Sequence, residues 1–230
     1  MIALYDLSGR DGRRFSPYCW RVQMALAHKQ LDYRTVATRF ADISSIGDGA
    51  HTTVPVIDDD GRMIADSWKI ANYLERQYPD RPSLFGGPAG HALTLFVQSW
   101  VFDVLHRGII ELILYDIYVQ LDEGDKAYFR ATREKRFGRT LEDVQVGREA
   151  RLAELRKILQ PLRQVLGTQK WFGGEAPLYA DYIVFGVFQW PRVASSLALL
   201  AEGDPISGWF ERCLDLFNGL GRSARPSPLG

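Results

Sequence analysis

The stretch "FSPYCWRV", residues 15–22, decides the fold because it predicts where the first helix begins. Ser16 is a favoured N-cap residue, and Pro17 occupies the favoured first helical position. We therefore predict a helix from Pro17 to about Gln30. Apolar residues recur along it at helical spacing, namely Trp20, Met24, Ala27 and Leu31. The N-terminus of such a helix carries unpaired N–H groups and a partial positive charge, so it favours an anion.

Strand and hairpin patterns surround this helix. The segment "IALYDL" (2–7) precedes it, and "DYRTVATRF" (32–40) follows it with strand-like alternation. Residues 41–53 fit a loop or a weak helix equally well. The next residues predict a hairpin that turns at Asp60-Gly61, followed by a helix over 67–79. The order β-α-β then β-β-α predicts a compact thioredoxin-like half.

The composition changes after the Gly/Pro-rich stretch "RPSLFGGPAGH". Helical patterns dominate from there on, over residues 91–121, 125–166, 180–201 and 205–218. We predict a thioredoxin-like domain at 1–83, a linker at 84–91 and an all-helical domain at 92–230. The fold class is thus α/β followed by all-α.

Charge and cysteine content exclude several classes of protein. Lys plus Arg and Asp plus Glu both number 28, which gives no electrostatic reason to expect nucleic acid or a membrane surface as partner. The start "MIALYDLSGR" lacks the features of a signal peptide. Cys19 and Cys213 are too few for a disulfide framework, so we expect a reducing cytoplasm. Histidines and cysteines show no metal-ligand spacing, and no metal is expected.

The turn "SPYC" looks like the Cys-Pro-Tyr-Cys active site of a dithiol redox protein whose first Cys is replaced by Ser16. A serine hydroxyl forms no mixed disulfide at a useful rate, but it can donate a hydrogen bond to a thiolate supplied from outside. Glutathione is the obvious external thiol in a cytoplasm, which makes Ser16 the candidate catalytic residue. A helix cap with no further role is the alternative interpretation.

Two further features support a glutathione site. Pro55 begins a hairpin strand where thioredoxin-like folds carry a cis-proline, and Asp66-Ser67 stands at the start of the next helix, a second position that favours anions. The cysteinyl unit of glutathione could pair with the backbone of Val54, its γ-glutamyl carboxylate could lie at Ser67, and its amino group could lie near Asp66. Candidates for its glycine carboxylate are His51, Thr52 and Arg39.

Over essentially its whole length the chain resembles the glutathione transferases. The segments "SPYCWRVQMALAHK", "TVPVI" and "DSWKIANYLERQYPDRPSLF" are similar to their glutathione-binding half, and "YADYIVFGVF" resembles the start of their buried sixth helix. Asp181 there usually closes a capping box, but Leu178 stands where a capping Ser, Thr or Asn is usual, so the box is incomplete or shifted. The resemblance implies glutathione as co-substrate and a homodimer.

Within that superfamily the chain resembles the β-etherase branch, the β-aryl ether-cleaving enzymes of lignin-degrading bacteria and their fungal relatives. The segments that carry this are "FSPYCWR", "DSWKIANYLERQYPDRPSLF", "RTLEDVQVGREARL" (139–152) and "FNGLGR" (217–222). The long C-terminal extension of some etherases is lacking. The resemblance implies that glutathione thiolate attacks an aromatic electrophile and displaces a phenolate. The sequence does not identify a group that would assist this leaving phenolate.

The electrophile pocket should lie between the first helix and the long apolar helices. Its aromatic candidates are Tyr18, Trp100, Tyr115, Tyr118 and Trp190, although packing in the core explains any one of them equally well.

Three other functions stay open from the sequence. The first is a non-catalytic carrier of aromatic ligands. The second is an isomerase like the zeta transferases, which "CWRVQMALAHKQLDY" resembles, although Tyr18 stands where their motif has Cys. The third is a dithiol-type oxidoreductase, which would require Cys19 to react, whereas a thiol one turn into a helix is more often buried and inert.

Overall fold

The computed structural model describes residues 1–228. Four strands form one sheet in the order β2-β1-β3-β4, in which β1 pairs parallel to β2 and antiparallel to β3, and β3 pairs antiparallel to β4. Their bounds are β1 Ile2–Leu7, β2 Tyr33–Thr38, β3 Val56–Asp59 and β4 Arg62–Ala65. The helices α1 Pro17–His28 and α2 Ser67–Gln77 complete the first half. The predicted thioredoxin-like half is confirmed.

Helices make up the second half. Their bounds are α3 Pro88–Trp100, α4 Arg107–Val119, α5 Glu123–Phe137, α6 Leu141–Gln145, α7 Arg148–Ile158, α8 Gln160–Thr168, α9 Tyr179–Ala194 and α10 Pro205–Gly219. The predicted all-helical domain is confirmed. Because α3 begins at Pro88, it starts inside the stretch 84–91 predicted as linker, and the exact domain boundaries stay a prediction.

Several predicted elements are divided differently in the structure. The pattern over 91–121 contains α3 and α4 joined by a π-helical turn, Val101–His106. The pattern over 125–166 contains four helices. Gly138 and Gly147 adopt positive φ angles of 69° and 70° and interrupt the helical backbone before α6 and before α7, and a third break falls at Leu159. Part of the segment 41–53, which the sequence left open, forms the 3-10 helix Phe40–Ser45.

Helix α9 is the centre of the molecule and fixes the position of α1. Almost every residue of α9 is buried, and the helix packs along α1. At Gly186 the two backbones come so close that a Cβ atom would collide with the carbonyl oxygen of Pro17. The start of α1 is therefore held directly against the core of the helical domain.

Asp181 stabilises the entry into α9. It is fully buried and accepts hydrogen bonds from the N–H groups of Phe172 (2.9 Å), Gly173 (3.0 Å) and Leu178 (3.0 Å) and from the indole of Trp209 (2.9 Å). A capping box has two bonds, one accepted by each of the two side chains from the backbone of the other residue. The bond that Asp181 accepts from the N–H of the N-cap residue Leu178 is one of them. The Leu178 side chain has no acceptor, so the sequence-based expectation of an incomplete box is confirmed.

Neither a membrane-spanning helix nor a metal cluster is found in the part of the chain that the structure describes. None of these helices is long and apolar enough to cross a bilayer. Residues 1–228 contain no group of three or more His, Cys, Asp or Glu side chains placed to hold a metal ion.

We predict that Asp181→Ala lowers the free energy of unfolding by about 3 kcal/mol or more, since it leaves four buried donors without an acceptor. Urea denaturation measures this change. Asp122→Ala is the matched control, because Asp122 is the N-cap residue of α5 but makes no side-chain capping bond. A loss no larger than that of the control would contradict the assigned role of Asp181.

Candidate active site

Ser16 lies at the N-terminus of α1 with its side chain nearly buried. Its Oγ accepts a hydrogen bond from the backbone N–H of Cys19 at 3.3 Å, which caps the helix. Because Oγ is the acceptor in this bond, the hydroxyl proton remains available for donation. Ser16 lines the main cavity of the described structure, so that donation can be directed to a ligand.

The segment before β3 presents unpaired backbone to the same cavity. Val54 and Pro55 line it, and the peptide bond between them is cis, as the sequence predicted. The Pro55 carbonyl accepts a hydrogen bond from the Asp66 N–H at 3.2 Å. By contrast, the main-chain N–H and C=O of Val54 have no hydrogen-bond partner within residues 1–228. Val54 can therefore receive a peptide-like ligand by backbone pairing.

The N-terminus of α2 faces the cavity through Asp66 and Ser67. Asp66 adopts a φ of 80°, which is unfavourable for a residue with a Cβ atom. Its Oδ1 accepts from the N–H groups of Trp68 and Lys69, both at 3.0 Å, and this caps α2. Ser67 is buried, and its carbonyl accepts a hydrogen bond from the Tyr179 hydroxyl at 2.8 Å, which ties α2 to α9.

The cavity measures about 650 Å³ and lies between the first half of the chain and helices α3, α4, α5 and α9. Ser16 and the two backbone sites form one wall. Much of the remaining wall is aromatic, formed by Phe15, Tyr18, Phe40, Phe102, His106, Tyr128, Phe129, Phe137 and Trp190. A cleft with a polar side and an aromatic side suits one polar and one aromatic reactant.

Cationic side chains predominate over free acids in this lining. Arg21, Arg133 and Arg136 contribute three guanidinium groups. The acidic residues are Asp66, which caps α2, and Asp103, which forms an ion pair with Arg107 at 3.3 Å. The cavity therefore favours anionic ligands.

Cys19 faces away from the cavity and is fully buried. Burial raises the pKa of its thiol well above the usual range, and the neighbouring Asp6 carboxylate raises it further. The thiol is therefore protonated at neutral pH and inaccessible, which disfavours a dithiol-type reaction at this turn.

Comparison with known proteins agrees with this geometry. Residues 12–82 match the family description "Glutathione S-transferase, N-terminal domain", and residues 92–213 match "Glutathione S-transferase, C-terminal domain". The second match alone spans more than half of the chain. The chain belongs to the glutathione S-transferase family.

Individual members of the family are similar along most of the chain. A probable glutathione S-transferase of Glycine max is 24% identical over 83% of this chain and 76% of its own. The crystal structure of transferase GSTFuA3 from Phanerochaete chrysosporium is 27% identical, covers 92% of this chain and 95% of its own, and superposes with a TM-score of 0.81. A Ceriporiopsis subvermispora glutathione S-transferase, solved in complex with glutathione, is 27% identical with a TM-score of 0.82 over 94% and 96% of the two chains.

Most of the residues that the sequence singled out lie together in this transferase. The structure places eight of them in the cavity wall, namely Ser16, Tyr18, Thr52, Val54, Pro55, Asp66, Ser67 and Trp190. Their roles toward a ligand stay a prediction, but their juxtaposition around one cavity is what those roles require.

Two residues predicted for the glycine carboxylate lie outside the wall. His51 is not among the lining residues, whereas its neighbours Thr52 and Thr53 are. Arg39 is turned to the surface, where it binds both carboxylate oxygens of Asp42, at 2.9 and 3.1 Å. Arg39 is thus already paired with Asp42. The neighbouring residue Phe40 lines the cavity instead.

Three predicted aromatic residues also lie outside the wall. Trp100 packs against the hydrophobic core at the end of α3. Tyr115 and Tyr118 stack on each other with ring centroids 5.8 Å apart, and the Arg130 guanidinium covers the Tyr118 ring at 4.5 Å. The π-helical turn before α4 shifts the helical register, so Phe102, His106 and Ile110 face the cavity instead.

The sequence analysis missed the charged and imidazole groups of the wall. Arg21, His106, Arg133 and Arg136 are not among the candidate residues that the sequence provided. A π-helical turn leaves no periodic signal in the sequence, and Arg133 and Arg136 look like ordinary surface cations on α5. Only the fold brings them into the same cavity wall as Ser16.

We predict that Asp6→Asn stabilises the protein at high pH but not at low pH. Asp6 is buried behind α1, accepts from the Gln23 amide at 3.0 Å, and leaves Oδ1 unpartnered. Burial raises the pKa of Asp6 from 3.8 to about 6 against the opposing charge of Arg14. The ionised carboxylate therefore costs about 3 kcal/mol of stability above pH 6, and this cost disappears below about pH 4.

Urea denaturation of both proteins at pH 4 and pH 8 measures this effect. The advantage of Asp6→Asn should be larger at pH 8 by an amount on that order. Asp60→Asn is the control, because Asp60 is exposed and should change stability by less than about 0.5 kcal/mol at either pH. The same advantage for Asp6→Asn at both pH values would contradict the assignment.

Proposed function

We propose that the protein is a glutathione transferase of β-etherase type. Glutathione thiolate, held at Ser16, attacks an aromatic electrophile, a β-aryl ether or a related compound, and forms a glutathione thioether. The observation that carries this proposal is the Ser16 hydroxyl, which is free to donate at the N-terminus of α1 and opens on a cavity with an aromatic wall.

The two backbone sites suit the rest of the tripeptide. The cysteinyl unit pairs with the free N–H and C=O of Val54, which places its sulfur at Ser16. The γ-glutamyl carboxylate lies at Ser67, where the N-terminus of α2 favours an anion. The amino group lies at Asp66, whose Oδ2 is not used in capping. For the glycine carboxylate we favour Thr52, because it lines the cavity and Arg39 and His51 do not.

Activation of the thiol requires a modest contribution from the protein. A free thiol has a pKa of about 8.5, so only a few per cent is thiolate at neutral pH. Lowering this pKa by about two units corresponds to roughly 2.7 kcal/mol, which one or two charge-assisted hydrogen bonds supply. The Ser16 hydroxyl and the start of α1 provide such bonds, and the cationic wall adds to them.

The etherase-like segments, 139–152 and 217–222, support assignment to the β-etherase branch, but they do not identify the substrate. The segment 139–152 forms α6 and the start of α7, where the Thr140 hydroxyl caps α6 by accepting from the Asp143 N–H at 3.1 Å. Gln145 accepts from the Tyr115 N–H at 2.9 Å and so fixes α6 against α4. In the segment 217–222, the Gly221 carbonyl accepts from the Gln189 amide at 2.8 Å. Both segments therefore brace the helices that form the pocket.

We predict that Ser16→Ala lowers kcat/KM for glutathione-dependent ether cleavage about 100-fold, the usual cost of one lost donor at a developing or stabilised anion. The pKa of bound glutathione, followed by thiolate absorbance in the ultraviolet, should rise. Phenoxyacetophenone and aryl halides are suitable electrophiles for measuring thiol consumption.

Ser16→Thr is the matched variant because it keeps a hydroxyl, and it should retain most of the activity. Equal activity in Ser16→Ala and the unmodified protein would exclude the proposed role of the hydroxyl. Binding of the aromatic compound without consumption of thiol would favour the ligand carrier instead.

The homodimer that the resemblance implies has a suitable surface on α3. Leu93 and Phe96 are 68% and 70% exposed and lie three residues apart on one face of the helix. Such an apolar face is typical of an interface. The cytoplasmic location stays a prediction from the sequence.

We predict that Phe96→Glu converts the dimer to a monomer, because it would place a charge in the apolar contact. Size-exclusion chromatography with light scattering measures the mass. Val146→Glu is the control, since Val146 is 69% exposed at the end of α6. A protein that is monomeric without any substitution would contradict the proposed interface.

A further inference from the structure

Four side chains in the cavity wall carry buried polar atoms without a partner in the described residues, and three of these residues, unlike Gln98, are themselves more than nine-tenths buried. Arg21 is 1% exposed, and neither its Nε nor its Nη2 has a hydrogen-bond partner within the described residues. The same holds for Nδ1 of His106, which is 7% exposed, and Nε1 of Trp190, which is 5% exposed. An unsatisfied buried donor destabilises the folded protein, so several at one place require a reason.

The three side chains form one connected group, which we call the Arg21–His106–Trp190 cluster. The Arg21 guanidinium lies 4.6 Å from the centre of the Tyr18 ring, and the His106 ring lies 5.4 Å from the same ring. His106 stacks on Trp190 with centroids 4.8 Å apart. Because Tyr18 is only two residues from Ser16, the cluster adjoins the position proposed for the sulfur.

The backbone around His106 is specialised for this placement. His106 ends the π-helical turn Val101–His106, and its ring also stacks on Phe102 at 5.7 Å. Turns of this kind occur often at functional sites because they redirect side chains out of the regular helical register. The ring is therefore held in place by stacking, while its Nδ1 has no hydrogen-bond partner in the described residues.

The charge state of His106 follows from its neighbours. Burial, together with the nearby cations Arg21 and Arg136, lowers its pKa from 6.5 to about 3. The imidazole is therefore neutral at physiological pH and carries one N–H donor. It cannot act as an imidazolium acid, but together with the Arg21 cation it can stabilise a negative oxygen.

We propose that the Arg21–His106–Trp190 cluster binds the aryl ether oxygen of the electrophile and stabilises the aryloxide that leaves when glutathione attacks. This proposal rests on the proposed function and names its substrate class, an aromatic compound whose leaving group is a phenol. It also assigns the leaving-group assistance that the sequence did not identify.

The reaction balances without any further reactant. The thiolate sulfur forms a bond to the β-carbon, the bond between that carbon and the ether oxygen breaks, and its electron pair departs with the oxygen. Negative charge thus moves from the sulfur, which lies at Ser16, to the ether oxygen, which lies at the Arg21–His106–Trp190 cluster. The aryloxide takes a proton from water after release.

Binding measurements test the cluster without requiring turnover. With S-methylglutathione present to fill the thiol site, 4-nitrophenolate at pH 8 should bind at least tenfold more tightly than 4-nitroanisole, its uncharged O-methyl ether. His106→Phe keeps the ring stacking and removes the donor, so it should reduce this preference at least fivefold. His106→Gln restores an N–H donor and should recover most of it. Equal affinities for the two compounds, or an unchanged preference in His106→Phe, would overturn the proposal.

A matched pair of substrates then tests the kinetic role. Phenoxyacetophenone and chloroacetophenone share the ketone and the attacked carbon, but only the first has an oxygen leaving group. His106→Phe should lower kcat/KM for the ether at least 30-fold and for the chloride less than threefold. An equal loss for both substrates would overturn the assignment to the leaving oxygen. If the unmodified protein consumes thiol with neither substrate, the proposed function fails, and the binding measurements still decide the cluster.

Discussion

The structure depends on the close contact between the start of α1 and the middle of α9. Gly186 lets the two backbones meet at Pro17, so the helix that carries Ser16 is positioned by the core of the helical domain rather than by its own loop. Asp181 fixes the start of α9, and the Tyr179 hydroxyl ties that same end to Ser67 at 2.8 Å. The N-termini of α1 and α2, which both favour anions, are thus held in position by the same buried helix, α9. A site for a tripeptide thiol needs this fixed spacing, because its sulfur and its carboxylate must be bound at the same time.

The site divides its chemistry between backbone and side chains. Toward the thiol, the first half contributes mainly backbone, through the helix starts and the unpaired groups of Val54, together with the Ser16 hydroxyl. Toward the second reactant, the first half contributes the Tyr18 ring and the Arg21 guanidinium, and the helical half contributes most of the other rings and guanidinium groups. Asp66 shows the cost of this arrangement, since its φ of 80° is unfavourable and is maintained by four hydrogen bonds. Two are accepted by its side chain from backbone N–H groups, and two are made by its own main-chain N–H and C=O. The fold therefore constrains the thiol side closely and leaves the electrophile side to the identity of side chains.

Much of the first half could be predicted from the sequence, and much of the pocket could not. Ser16-Pro17, the Asp60-Gly61 turn and Asp66-Ser67 are local signals, because capping and turn preferences act within a few residues. The pocket is assembled from α3, α4, α5 and α9, which are distant in sequence, and hydrophobic periodicity does not distinguish a pocket aromatic from a core aromatic. Tyr115 and Tyr118 illustrate this, since both are aromatic residues of α4, one of the helices that form the pocket. In the structure their rings stack on each other and do not line the cavity. Arg21 could have been recognised only from its burial, which the sequence does not show.

The π-helical turn has a consequence for how this pocket could diversify. Such a turn accommodates one residue more than the regular helix and so absorbs it without changing the direction of the helices on either side. Removing a single residue between Val101 and His106 would restore regular winding and leave α4 close to its present phase relative to α3. The side chains that the turn itself places in the wall, Phe102 and His106, would then be presented differently, while α4 and the thiol half stayed as they are. Deletion of one codon, rather than a series of substitutions, is thus the shortest genetic change that would give this transferase a different preference for electrophiles.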